Sequence, residues 1–208
     1  DPLEAYARAG HHGVIIDVPV ARCRGLALME FPLTRESSHP FIRAVEAFMT
    51  GIDQPANVLG AYYNTVQPST ALDVLDPGPG ITAPALEKFP PMAADLPWLG
   101  KTRAKKQAQR EKQTRNEAQR YGCSFPAFLN CSQWGPQPDA RIEHEALRLE
   151  RLYLSLKEYG YTPSDISAYI CGRILKHGEH CVVALKAGHH RAAVLAAMGY
   201  PSIPCLIY

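Results

Sequence analysis

Apolar and polar positions follow two different periods along this chain, and the changes of period mark its elements. Val14-Ile15-Ile16-Asp17-Val18-Pro19-Val20 is rich in β-branched residues and bounded by Gly13, which predicts a strand. From His39-Pro40 the period lengthens. Phe41, Val45 and Phe48 recur at helical spacing until Gly51, which predicts an amphipathic helix. Pro2–Ala9 reads as a short helix ended by Gly10, and Tyr62-Tyr63 lies in another helical segment before Gln67-Pro68. Further on, Leu149, Leu152, Leu156 and Tyr159 fall on one stripe while Arg148, Glu150, Arg151, Lys157 and Glu158 fall mostly elsewhere. Gly160 closes that helix. Tyr169–Leu175 and Cys181–Ala187 read as strands joined around Lys176-His177-Gly178-Glu179. A helix from about His190 to Met198 follows, stopped by Gly199, and Ile203–Ile207 is a last strand. From about residue 141 the order is helix, strand, strand, helix, strand, which defines a compact α/β unit.

Two segments break both periods. Residues 76–97 carry Asp76-Pro77-Gly78-Pro79-Gly80, Pro84, Pro90-Pro91 and Pro97. Each proline removes a donor and restricts its neighbour, so a surface connector without regular elements is expected. Lys101 to Arg120 favours helix, with eight basic and two acidic residues and almost no apolar stripe. It reads as a solvated helix or arm, with a basic surface for nucleic acid as the sharper alternative. Interleaved aromatics for base stacking are absent from it. The expected organisation is a helix-rich N-terminal extension over 1–135, containing the 76–97 connector and the 101–120 basic helix, and a core over 136–208.

Composition narrows the picture. Hydrophobic residues make up 46% of the 208, enough for a real core, and the net charge is +2 with histidines neutral. The molecule as a whole therefore offers no electrostatic case for nucleic acid, and such a case must be local. The six cysteines show no CxxC pair, so free thiols in a reducing compartment are expected. A zinc site from Cys123 and Cys131 lacks spacing support. The apolar runs are far shorter than a membrane span and no leader pattern is visible, so the expectation is a cytoplasmic protein without a membrane span.

Chemistry concentrates between Val182 and Leu195. The apolar run ends in Lys186-Ala187-Gly188-His189-His190-Arg191, and an Ala-rich helical stretch begins there. Strand, glycine turn and helix N-terminus build an anion site, because the first amides of a helix lack intrahelical partners and point outward. Arg191 adds a planar fork suited to phosphate, and His189 and His190 add donors or proton carriers. Read structurally instead, Gly188 is a tight turn and the histidines cap or pack. Lys186 either shares the same cleft or stands in solvent. Glu143-His144-Glu145, at the start of the long helix, holds the acid/base candidates. Two residues apart, Glu143 and Glu145 face different directions, so only one of them points into a cleft.

The run Leu152–Gly160, the paired strands, and Ala187-Gly188-His189-His190-Arg191 through Gly199-Tyr200-Pro201-Ser202-Ile203-Pro204-Cys205 together resemble the ParB/sulfiredoxin-like superfamily. Ser155-Leu156 to Gly160 stand where that family has its "S-I-x-x-x-G" phrase. Gly188–Arg191 stand at its "G-x-[HR]-R" box, and Ile203-Pro204-Cys205 at its "I-P-V" strand. Gln137-Pro138 to Arg141 is a looser counterpart of "Q-P-R". The upstream cues His39-Pro40-Phe41, Tyr62-Tyr63, Gln67-Pro68 and Leu96-Pro97-Trp98 are similar to ParB-like proteins of bacterial polysaccharide gene clusters. The resemblance implies a mixed-sheet α/β (α+β) core that binds nucleotide phosphates at Lys186, Gly188, His189, His190 and Arg191, with Arg141 on phosphate.

Within that superfamily, His189 stands where sulfiredoxins carry cysteine, and the clamp proteins' "G-E-R-R" is missing. The resemblance therefore leans to an ATP- or ADP-dependent phosphotransferase, a small-molecule or sugar kinase with Mg²⁺ on the nucleotide. Glu143 or Glu145 would be its base, with His190 beside them, and it would have no protein-held metal. A non-catalytic nucleotide-binding switch, or a nucleic-acid-binding or nuclease-like protein, is the alternative.

Overall fold

A computed structural model describes residues 4, 7, 13–25, 28–75, 83–91, 93–94, 103–122, 133–178 and 180–208. Most of the expected Pro2–Ala9 helix, much of the 76–97 connector, Lys101, Cys123, Cys131 and Glu179 lie outside the described residues. Glu4 and Ala7 are helical.

Six strands form one mixed sheet: β1 (Val14–Pro19), β2 (Cys23–Gly25), β3 (Leu28–Pro32), β4 (Ile170–His177), β5 (His180–Ala187) and β6 (Ser202–Ile207). Their order across the sheet is β1-β6-β4-β5-β2-β3. β4 and β5 make an antiparallel hairpin, with β6 parallel to β4 on one side and β2 parallel to β5 on the other. β1 and β3 pair antiparallel at the edges, β1 with β6 and β3 with β2. The helices are α1 (Pro40–Thr50), α2 (Pro55–Thr65), α3 (Ala71–Leu75), α4 (Pro84–Glu87), α5 (Arg103–Arg120), α6 (Asp139–Tyr159) and α7 (His189–Ala197). The protein is thus of the α/β class. No helix among the described residues is long and apolar enough to cross a membrane.

The contacts divide the chain differently from the expected split at 135/136. One unit joins Asp1–Pro55 to Leu147–Tyr208, and the other is Ala56–Ala146, with the boundary falling inside α6. The physical reason is strand pairing. β1, β2 and β3 come from the first 32 residues, yet they complete the sheet begun by β4, β5 and β6. The N-terminal segment is therefore strand-forming as well as helical. β2 and β3 escape the sequence pattern because they are short and lack clear alternation. The interruption between β1 and β2 is a 3₁₀ turn over Val20–Arg22.

In the first unit the core is built from Val18, Cys23, Leu185, Ile170, Ile203, Cys205 and Ile207 of the sheet, with Ala192–Ala197 of α7 and Phe41, Ile42, Ala44 and Val45 of α1. Burial along β6 alternates strictly, as a half-buried strand requires. α7 is buried along its whole length after the first turn. Cys23, Cys171, Cys181 and Cys205 are free thiols, and a hydrogen bond with Cys23, then burial, pushes the Cys205 thiol far above its usual range.

In the second unit Leu59, Tyr63, Ala71, Val74 and Trp134 are buried. α5 is a helix as expected, and it does have a buried stripe: Thr114 and Ala118, four apart, are small enough to escape an apolar-pattern reading. Among the described residues of the proline-dense connector, Pro84–Glu87 forms a helical turn, because proline suits the first helical position. On α6, Leu149 and Leu156 are buried as expected, whereas Tyr159 is 68% exposed.

Gly135 packs its α-carbon against the backbone of Tyr63. A Cβ there would lie 1.6 Å from the Tyr63 carbonyl oxygen, and Tyr63 itself is fully buried. Neither backbone can yield without opening the unit. Gly135→Ala is expected to cost at least ~3 kcal/mol. Gly60 of α2 has nothing within 4 Å of a Cβ, so Gly60→Ala is expected to stabilise by about 0.5–1 kcal/mol through helix propensity. Denaturant unfolding of the two variants checks both signs.

Candidate functional site

The turn from β5 into α7 is held open by a glycine for a reason of packing. Gly188 is the N-cap of α7 at φ 86°, ψ 18°, a left-handed conformation that side chains disfavour. A Cβ on it would meet Ile170 Cγ1 at 2.9 Å and Ile170 Cα at 3.1 Å. The space freed by the missing side chain is therefore filled by the first residue of β4. In the structure Gly188 brings the start of α7 tight against the sheet, and it contributes no side-chain cap to the helix.

The first turn of α7 is stitched to its neighbours on two sides. Arg191 donates through Nη1 to the carbonyl of Ala168, at the end of the 3₁₀ turn Ile166–Ala168. That turn is itself capped by Asp165, whose Oδ1 accepts from the amides of Ser167 at 2.7 Å and Ala168 at 3.2 Å. Tyr161 accepts from the Ile170 amide at 2.7 Å. Its phenol pKa is raised, by burial first, with Arg191 pulling the other way. On the other side His190 stacks on Phe41 of α1, ring centroids 4.6 Å apart and planes 22° apart.

His39 completes the arrangement. It is the N-cap of α1, 3% exposed, with Nδ1 accepting from the Phe41 amide at 3.2 Å. Its ring meets that of Phe41 edge-on at 5.5 Å. Burial, then the neighbouring His189 and His190, pushes the His39 imidazole down to about 3. Burial, then His190, takes His189 down to about 4, with Arg148 of α6 acting in the same direction and a hydrogen bond at the Lys186 backbone opposing it. The N-termini of α1 and α7 thus share a basic surround of His39, Arg148, His189, His190 and Arg191, in which His39 and His189 stay neutral at neutral pH. Among the described residues no group of three or more His, Cys, Asp or Glu is arranged to hold a metal ion.

The other residues expected at the site are Lys186, Arg141, Glu143 and Glu145. Lys186 is exposed, with Nζ 4.8 Å from the Tyr208 ring centroid. The Tyr208 phenol is pushed up to about 12 by burial, then by its hydrogen bond with Cys171. Arg141, Glu143 and Glu145 belong to the second unit. Arg141 is 3% exposed and donates through Nη2 to Glu117 Oε2 at 3.2 Å. Glu143 is exposed, whereas Glu145 is 3% exposed, near Tyr121. The Tyr121 ring meets His144 edge-on at 4.9 Å and lies 6.0 Å from the Arg141 guanidinium. Extending the Leu149 position back by fours reaches Glu145 and Arg141, and that signal separates Glu145 from Glu143.

Sequence reasoning missed His39 and Arg148 as site residues. His39 reads in the sequence as a helix opener before Pro40, and only the packing of α1 on α7 reveals its second role. Arg148 reads as part of a solvated face. Comparison with protein-family models, curated proteins and solved structures finds no match to this chain.

Because His39 and His189 bind protons more weakly folded than unfolded, the unfolded chain takes up more protons below pH 6.5. Stability then falls as pH falls from 6.5 toward 4, by about 1.4 kcal/mol per pH unit for each histidine once well below 6.5. Chemical denaturation at stepped pH should show this slope. His39→Asn keeps a capping acceptor, removes one titration, and should flatten the slope.

Proposed function

We propose that this chain is a nucleotide-dependent phosphotransferase, a small-molecule or sugar kinase, that holds nucleotide phosphates at the first turn of α7. The observation that carries it is the N-terminus of α7, capped by a glycine that brings no side chain and surrounded by basic groups. Such an end attracts anions through its amides and its dipole. The amides of His189, His190 and Arg191 and the guanidinium of Arg148 are the groups that would receive phosphate oxygens. The ParB/sulfiredoxin-like resemblance of Gly188–Arg191 points to the same turn. ATP or ADP is the favoured nucleotide, and Mg²⁺ carried on its phosphates would neutralise charge during transfer. His190 is the proton-carrying side chain at the turn.

A second reading is a non-catalytic nucleotide-binding switch. It is favoured by the basic character of the groups around the turn.

Isothermal titration with ATP, ADP, CTP and GTP in the presence of Mg²⁺ tests both. Saturable binding of one nucleotide is expected, weakened roughly tenfold in Arg148→Ala by loss of a charge-assisted contact. No binding of any of the four would overturn both readings. Phosphate transfer to a sugar or other hydroxyl compound, followed by ³¹P NMR, supports the kinase. Binding without turnover supports the switch.

A further inference from the structure

The second unit carries a groove along α5 that the nucleotide reading does not use. Its volume is about 370 Å³, within the range of small-molecule sites, and its described lining is Gln109, Lys112, Gln113, Asn116, Glu117 and Arg120. Helical spacing sorts these into two rows four residues apart. One row is Gln109, Gln113 and Glu117: two carboxamides and a carboxylate. The other is Lys112, Asn116 and Arg120: a carboxamide between two cations.

The carboxylate is held in place. Gln113 Nε2 donates to Glu117 Oε1 at 3.4 Å and Arg141 Nη2 donates to Glu117 Oε2 at 3.2 Å. Arg141 is buried, whereas the Glu117 side chain keeps 34% of its surface. An ionised carboxylate accepts about four hydrogen bonds, so one anchored by two still accepts others from the groove. Its position is set by partners on the protein, which is how a binding group is preorganised.

We infer that this groove is a binding site for a small polyhydroxylated anion, a sugar acid or a sugar phosphate. A hydroxyl both donates and accepts. The Glu117 carboxylate accepts a hydrogen bond from it, and the carboxamides of Gln109, Gln113 and Asn116 supply either partner. Lys112 and Arg120 take the anionic group. A bare anion would have no use for the carboxylate. A nucleic-acid backbone would set its phosphates against that same carboxylate, at a cost in repulsion. The mixture of acceptor, amides and cations suits a ligand that carries many hydroxyls and one anionic group. The inference is independent of the nucleotide reading, which concerns the other unit.

The experiment is a titration of the full chain with glucuronate and with glucose 6-phosphate, alongside glucose, inorganic phosphate and a duplex oligonucleotide, by ¹⁵N-correlated NMR. Both sugar anions should saturate amide shifts on α5, at least roughly tenfold more tightly than glucose or phosphate. Asn116→Ala and Lys112→Ala change exposed side chains and keep the fold, checked by circular dichroism. Lys112→Ala should weaken the sugar anions by roughly tenfold, the worth of one hydrogen bond to a charged group, and Asn116→Ala by roughly fivefold, the worth of a neutral one. The inference is overturned if neither sugar anion saturates, if inorganic phosphate binds as tightly, or if both variants bind unchanged. It is equally overturned if the oligonucleotide alone binds, with steep salt dependence and no loss in Asn116→Ala.

Discussion

The first unit depends on one close approach, that of Gly188 to Ile170. Without a Cβ, and with a backbone that only glycine adopts easily, the β5–α7 turn settles directly against the first residue of β4. The consequence runs down the helix. Ala192, Ala193, Ala196 and Ala197 are small, so α7 lies close to the sheet and buries nearly every residue after its first turn. α1 packs on α7 in turn, bringing Phe41 onto His190 and His39 toward His189. The basic surround at the helix end therefore follows from a packing contact that touches none of its charged groups.

The two units handle polar groups in opposite ways. In the first, burial keeps His39 and His189 neutral, so no charge needs compensation in the packed region between α1 and α7. In the second, Arg141 is buried with its charge and is compensated by Glu117, with the Tyr121 ring alongside. With one partner buried and the other partly exposed, the pair adds little net stability and is costly to break, so Arg141 and Glu117 fix geometry more than they strengthen the fold. Fixed geometry is what a groove for a specific ligand needs.

Much of this was legible in the sequence, and the failures have physical causes. The order helix, strand, strand, helix, strand after residue 141 follows from period alone, because α6, β4, β5, α7 and β6 are long or strictly alternating. β2 and β3 are three and five residues long and owe their state to pairing with β5 and with each other, which no local pattern records. The strand, glycine and helix order of the Gly188 turn was visible, but the packing role of Gly188 was not, since Ile170 reaches it only through the fold. His39 was hidden for the same reason. The second unit hid best. Its buried stripes run through Thr114, Ala118, Arg141 and Glu145, residues that an apolar-pattern reading skips.

The central claim is that phosphate groups bind at the first turn of α7. Nitrogen-15 correlated NMR of the full chain during a Mg²⁺–ATP or Mg²⁺–ADP titration reads that turn residue by residue. The account predicts that the amides of His189, His190 and Arg191 move first and farthest, downfield as amides do when they donate to phosphate. Saturating binding that leaves those three amides in place would contradict it.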